Sequence, residues 1–173
     1  MQTRIVSLST LLLLGYLIVS FAFFPTSIEN KIEIKGQPVR VFDVVTTAKY
    51  WPQWHPATLA VSGAIDHPMQ LGDTIYEQVN IFGIPGLVEW KVVELEQPSS
   101  VKLDGHSLLF AGATIRYQFE SRGDSVRFTR TLDYAFLGLG GPLDSIWIKP
   151  IMTRQSAVAV RNLKAMVERQ LSQ

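Results

Sequence analysis

IENKIEIKGQPVRVFDVV, residues 28–45, changes its hydrophobic period midway, and that change decides the class of fold. Ile28, Asn30, Ile32 and Ile34 alternate with Glu29, Lys31, Glu33 and Lys35. Successive side chains of a strand point to opposite faces, so one largely apolar face and one charged face describe a half-buried antiparallel strand. Gly36-Gln37-Pro38 ends it. Val39, Val41, Phe42 and Val45 then suit a short helix, with Pro38 in the first turn, where a missing N–H costs nothing. A strand feeding a helix predicts an α+β domain.

Downstream, a short helical segment holds Tyr50, Trp51 and Trp54 and stops at Pro56. Strand-like runs follow over about 58–65, 73–82, 86–96, 101–107, 113–121 and 125–136. Gly83-Ile84-Pro85-Gly86 and Arg122-Gly123-Asp124 read as hairpin connections, Asp66-His67-Pro68 and Gln97-Pro98-Ser99 as turns. From Met152 the period becomes helical, through Ala159, Leu163 and Met166, and Pro150 either falls in the first turn or kinks a longer helix that begins near Leu143. Gly138-Leu139-Gly140-Gly141 reads as the connection before this helix. No Gly-Lys-Ser/Thr follows, so it is no phosphate loop.

Upstream, Ile5 to Phe24 carries neither charge nor proline. About 20 residues make a helix of roughly 30 Å, the thickness of a bilayer's hydrocarbon core. Residues 1–27 are therefore expected to form a transmembrane anchor with Pro25-Thr26-Ser27 as linker, and 28–173 the folded domain. Arg4 before the run and no basic excess after it place the N-terminus in the cytoplasm and the domain on the extracytoplasmic side. Ser20-Phe21-Ala22 also offers a cleavage site, which would leave a secreted or periplasmic domain. A retained anchor with so short a linker would hold the domain within roughly 10–15 Å of the lipid.

The chain's 173 residues suffice for one domain, and 47% apolar against 18% charged residues provide a core. A net charge of +1 without a basic stripe gives no nucleic-acid partner. With no cysteine there is no disulfide, zinc ribbon or thiol nucleophile. His55, His67 and His106 are scattered without metal-ligand spacing, and neither a metal nor another cofactor is expected.

Element order, together with Tyr50-Trp51-Pro52-Gln53-Trp54-His55-Pro56, resembles the START-like, or SRPBCC, superfamily. Polyketide cyclase/dehydrase-like and pollen-allergen-like proteins belong to it. The strand 88–95 closing on Gln97-Pro98, the strand 127–134 and the terminal 163–168 also fit. The resemblance spans about residues 28–170. It implies a helix-grip fold: a curved seven-stranded antiparallel sheet wrapped around a long C-terminal helix. It further implies a cavity for lipids, sterols, polyketides or other hydrophobic molecules. No catalytic residue is shared across the superfamily, so none is transferred.

If the apolar strand faces line that cavity, the polar residues in phase with them are the candidates. Arg130 lies between Phe128 and Leu132, and Glu77 between Ile75 and Val79; Glu89 shares a face with Leu87, Val93 and Leu95. Trp90, with Val88 and Val92, makes the opposite face of that strand apolar too, and the pattern leaves the phase open. A buried charge needs a partner, so a Glu77–Arg130 or Glu89–Arg130 pair would anchor a ligand's polar end. The competing expectation is that these residues reach solvent at the sheet rim. Trp54, Tyr117, Phe119, Phe128, Tyr134 and Trp147 are aromatic candidates for the cavity wall, or ordinary core. His55 is either a general base or a turn residue. The apolar set around Phe136, Leu137, Leu139, Leu143, Ile146, Trp147 and Ile148 suggests a pocket mouth, a membrane contact or an interface.

Three function classes follow. The leading one is a membrane-tethered binding or carrier domain for a hydrophobic or lipid-like molecule. The others are a cyclase/dehydrase-type enzyme using polar cavity residues, and a structural module of the cell envelope whose interior is filled by its own side chains.

Overall fold

A computed structural model describes residues 23–81, 83–108, 110–137 and 144–170. The elements run β1 (Phe23–Lys35), α1 (Pro38–Thr46), a 3-10 turn (Ala48–Tyr50), α2 (Trp51–Trp54), β2 (Thr58–Gly63), β3 (Thr74–Ile81) and β4 (Ile84–Glu96). β5 (Ser100–His106), β6 (Gly112–Arg122), β7 (Ser125–Leu137), a π-helical turn (Asp144–Ile148) and α3 (Lys149–Gln170) complete them. The seven strands form one antiparallel sheet in the order β1-β7-β6-β5-β4-β3-β2, and the sheet grips α3.

Alternation along the strands is kept as expected. Ile28 and Ile34 point inward from β1, as do Val126, Phe128, Arg130 and Leu132 from β7, while the charged partners cover the outer face. α3 presents Met152, Ser156, Ala159, Leu163 and Met166 to the sheet, the i, i+4, i+7 spacing of one helix face. Its C-terminal half is tied to β1, where Lys164 Nζ donates to the Glu33 carbonyl at 2.7 Å and the Lys35 N–H donates to Glu168 at 3.0 Å.

Hairpin connectivity puts the start of β1, the end of β7, the β5–β6 loop, the β3–β4 turn and the start of α3 at the same end of the sheet. The other end is closed by α1. Its Phe42 lies 5.2 Å from Phe119, which lies 5.2 Å from Phe128, with Tyr117 a further 5.5 Å away. Phe119 and Phe128 are therefore part of a solid aromatic core that seals the closed end.

Two expectations are corrected. Pro25-Thr26-Ser27, expected as linker, belongs to β1, which begins at Phe23, and Thr26 donates a 2.6 Å hydrogen bond to Asp144. Glu89 faces solvent, because Val88, Trp90 and Val92 carry the inward face of β4. A bulge between Val92 and Glu94 then shifts the phase and turns Leu95 toward the core. An extra residue in one strand exchanges the faces beyond it. Of the candidate transmembrane helix over 5–24, Phe23 and Phe24 belong instead to β1, and the rest, like the Gly138–Gly141 segment and Leu143, lies outside the described residues. No helix among the described residues is long and apolar enough to cross a membrane.

Gly105 on β5 faces inward opposite Trp90, and a Cβ there would overlap the Trp90 indole. Gly105→Ala should displace that ring and lower stability by about 1–3 kcal/mol, read as a lower denaturation midpoint with altered tryptophan fluorescence. An unchanged midpoint and spectrum would contradict this packing.

Candidate functional site

Between α3 and the inward sheet face, towards the end not sealed by α1, lies a cavity of about 50 Å³. Val79, Val88, Ile115, Leu132, Phe110 and Met152 supply most of its wall, with Ala57 and Ala113 leaving the space. The polar lining is His55, Glu77, Arg130, Gln155 and Ser156, with the indole of Trp90 beside them.

Strand register assembles the polar wall. Asn30, Arg130 and Tyr117 are direct cross-strand partners on β1, β7 and β6, all on the inward face. Glu77 comes from β3, one step along from Trp90 on the partner strand β4. His55 is delivered by the Trp-Pro-Gln-Trp helix. Trp51 Nε1 donates to the Val45 carbonyl at 3.2 Å, and Asn162 of α3 donates to the Trp54 carbonyl at 3.2 Å. The two tryptophans thus clamp α2 against α1 and α3, and Pro56 prevents the helix from continuing past His55.

Arg130 is 3% exposed and Glu77 5% exposed, so neither charge reaches the rim. Among the described residues they form no direct ion pair; each is held by other groups. Arg130 Nη1 donates to Ser156 Oγ at 2.9 Å, and Ser156 in turn donates to Asn30 Oδ1. Arg130 Nη2 contacts His55 Nε2 at 3.4 Å, His55 Nδ1 contacts Thr58 Oγ1 at 3.1 Å, and Thr58 donates to Glu77 Oε1. Trp90 Nε1 donates to Glu77 Oε2 at 2.7 Å.

The donor inventory allows this chain one direction. A guanidinium has only donors and an indole only a donor. Nε2 of His55 must then accept, Nδ1 must carry the proton, and the Thr58 hydroxyl must pass its own proton on to Glu77. Both Glu77 oxygens end as acceptors, the pattern of an ionised carboxylate. Arg130 Nε and Gln155 Oε1 remain buried without a partner.

Electrostatics follow from burial. Desolvation, with the nearby Arg130 charge, lowers the His55 pKa to about 3, so its ring is neutral. Burial raises the Glu77 pKa, while the Thr58 and Trp90 hydrogen bonds and Arg130 draw it back. Burial also pushes the Tyr117 hydroxyl up to about 12.

The remaining candidates are placed as follows. Trp54 and Tyr117 line a small void behind the polar wall, beside His55, Glu77 and Arg130. Tyr134 donates to Asp144 Oδ1 at 2.8 Å and, with Thr26, fastens the π-helical turn to the sheet. Trp147 is 67% exposed and does not line the cavity. Sequence reasoning missed Ser156 and Gln155. For Ser156 the signal was present, since it interrupts the apolar stripe between Met152 and Ala159. Thr58 carried no such signal. No cluster of three or more metal-ligating side chains occurs among the described residues.

The folded chain refuses a proton at His55 that the unfolded chain accepts between pH 6.5 and about 3. His55 therefore makes stability fall as pH drops through that window, by at most about 1.4 kcal/mol per pH unit. Glu77 acts in the opposite sense: the folded chain retains a proton that the unfolded chain gives up, so stability falls as pH rises above the ordinary carboxyl value. The His55 imidazole resonances should not titrate between about pH 5 and 8; a midpoint above 6 would contradict the arrangement.

The family model described as polyketide cyclase / dehydrase and lipid transport matches residues 25–168. No curated protein sequence matches the chain. Among solved structures, the Zhui aromatase/cyclase from Streptomyces sp. R1128 superposes with a TM-score of 0.72 at 10% identity, covering 85% of this chain and 96% of that one. A START superfamily protein from Mycobacterium smegmatis gives 0.61 at 16% identity, covering 84% and 97%. Major latex-like protein 151 from Panax ginseng gives 0.61 at 16%, covering 83% and 97%. At these identities the likeness is one of fold.

Proposed function

The chain belongs to the polyketide cyclase / dehydrase and lipid transport family, and from that premise we propose that it binds and carries an apolar small molecule while tethered to a membrane. The observation that carries this is the cavity itself: an aliphatic wall with a single polar side, organised around Arg130. Burial of apolar ligand surface, worth about 25 cal/mol per Å² before the costs of binding, would supply the affinity. The polar side would fix which end goes in.

Binding accounts for the site better than catalysis does. A general base needs a free lone pair at the reacting atom. His55 carries its proton on Nδ1 and accepts from Arg130 at Nε2, so its ring has no free lone pair, and hydrogen bonds from Thr58 and Trp90 stabilise Glu77 as an acceptor. The raised Glu77 pKa and the fold shared with an aromatase/cyclase favour the second reading, in which Glu77 serves as a proton donor.

At about 50 Å³ the cavity holds a few water-sized groups, well below the ~300 Å³ at which drug-sized pockets begin. Loading a larger ligand therefore requires the wall at Phe110 and Met152 to move. Both belong to the mouth end, where the β5–β6 loop and the start of α3 meet. The tether is supported at that same end. Ile84, Leu108, Ile146, Trp147 and Ile151 are exposed there, and β1 starts there within the last two residues of the uncharged run. Contiguous exposed apolar surface marks an interaction face, and a bilayer under the mouth would let an apolar ligand pass without crossing water.

Ala113→Leu should fill the cavity and weaken binding of the neutral probe Nile red at least tenfold while cooperative unfolding persists. Undiminished binding would place the probe elsewhere and sink the reading. For the tether, the full chain should resist alkaline carbonate extraction from membranes, and a chain beginning at Phe23 should not. Full release of the intact chain would contradict it.

A further inference from the structure

We propose that the polar side of this cavity selects an uncharged, oxygen-bearing ligand end, one acceptor oxygen with a neighbouring hydroxyl, and discriminates against a free carboxylate. This rests on the cavity being the ligand site, and it adds the chemical class of the end that is recognised.

Charge balance comes first. Among the described residues, Arg130 and Glu77 are the only formally charged side chains lining the cavity, one of each sign, and both are buried. The titratable and charged groups facing Glu77 are Arg130 and Tyr117 on the sheet and His55 between α2 and β2; α3 adds only the neutral Gln155 and Ser156. A carboxylate entering this set makes two buried anions against one cation. An unpaired buried charge is strongly disfavoured. It is admitted only if Glu77 takes up a proton.

Unsatisfied atoms specify the rest. Of the cavity-lining side chains, Arg130 retains one unpaired donor at Nε and Gln155 one unpaired acceptor at Oε1. A buried polar atom without a partner is costly, and a ligand that satisfies it recovers that cost on binding. A carbonyl oxygen answers Arg130 Nε–H and a hydroxyl answers Gln155 Oε1. A carboxylate can also answer Arg130 Nε–H, but it brings a second buried anion beside Glu77. An ester or ketone oxygen with a neighbouring hydroxyl therefore fits where a free acid does not.

The test uses the full chain with Nile red bound, displaced by methyl 3-hydroxyoctanoate or by 3-hydroxyoctanoate at neutral pH. The ester should displace at least tenfold more effectively. Since any apolar site favours an ester to some degree, the deciding comparison is Glu77→Gln, which leaves Arg130 uncompensated and should shift the ester-to-acid ratio at least tenfold toward the acid. Calorimetry on the unaltered protein in buffers of different ionisation enthalpy provides a second readout, independent of how the variant folds. The acid should bind with uptake of about one proton and the ester with none. Equal affinity of acid and ester, acid binding without proton uptake, or a ratio unmoved by Glu77→Gln would each overturn the proposal. Failure of Nile red itself to bind would instead bring down the ligand-site reading on which it stands.

Discussion

A guanidinium among aliphatic side chains must be given acceptors, and the polar interior of this domain is arranged around meeting that need for Arg130. The guanidinium sits in the middle of β7, 3% exposed. Ser156 reaches it from α3, with Asn30 of β1 behind; His55 reaches it from the end of α2, with Thr58, Glu77 and Trp90 behind. The set touches β1, β2, β3, β4, β7, α3 and the α2–β2 link. Removing one partner of a buried charge costs about 3–5 kcal/mol, so the elements that carry the set are held to one mutual placement. Because an arginine can only donate and a carboxylate can only accept, the chain between them also has a fixed sense.

The same placement explains why space is left at one end of the interior. Towards α1 the interior is filled by Phe42, Tyr117, Phe119 and Phe128 in tilted contact. Towards the start of α3 the inward positions are Ala57, Ala113, Val79 and Leu132, too small to reach across to Met152. The π-helical turn is secured there by Asp144, which accepts from Thr26 and Tyr134. Two hydroxyls on the sheet thus fix the approach to α3, and the apolar Ile146, Trp147 and Ile151 that follow are exposed.

Much of the fold was legible because strands with one wet face keep period two. Residues 28–35 and 113–120 declared their inward faces outright, and Arg130 and Glu77 stood out as charges in an apolar phase. β4 misled because both of its faces carry apolar residues and a bulge shifts the phase partway along. Leu87, Glu89 and Lys91 look outward while Leu95, in step with them by sequence, looks in. His55 was ambiguous for a different reason. Its partner Arg130 meets it only through tertiary packing from 75 residues away, which no local spacing encodes, and Thr58, three residues on, carries no pattern that marks it. The linker reading of Pro25-Thr26-Ser27 failed because proline is tolerated in an edge strand, and β1 is an edge of this sheet.

The central claim is that the cavity holds an apolar molecule by design of its walls. Native mass spectrometry of the full chain, purified gently from the cells in which it is made with their membranes included, tests this most directly. The account predicts one molecule per chain, apolar over most of its length and uncharged at its oxygen-bearing end, lost when the cavity is filled. A chain that is consistently empty, and stays empty when offered the lipid extract of the same membranes, would contradict it.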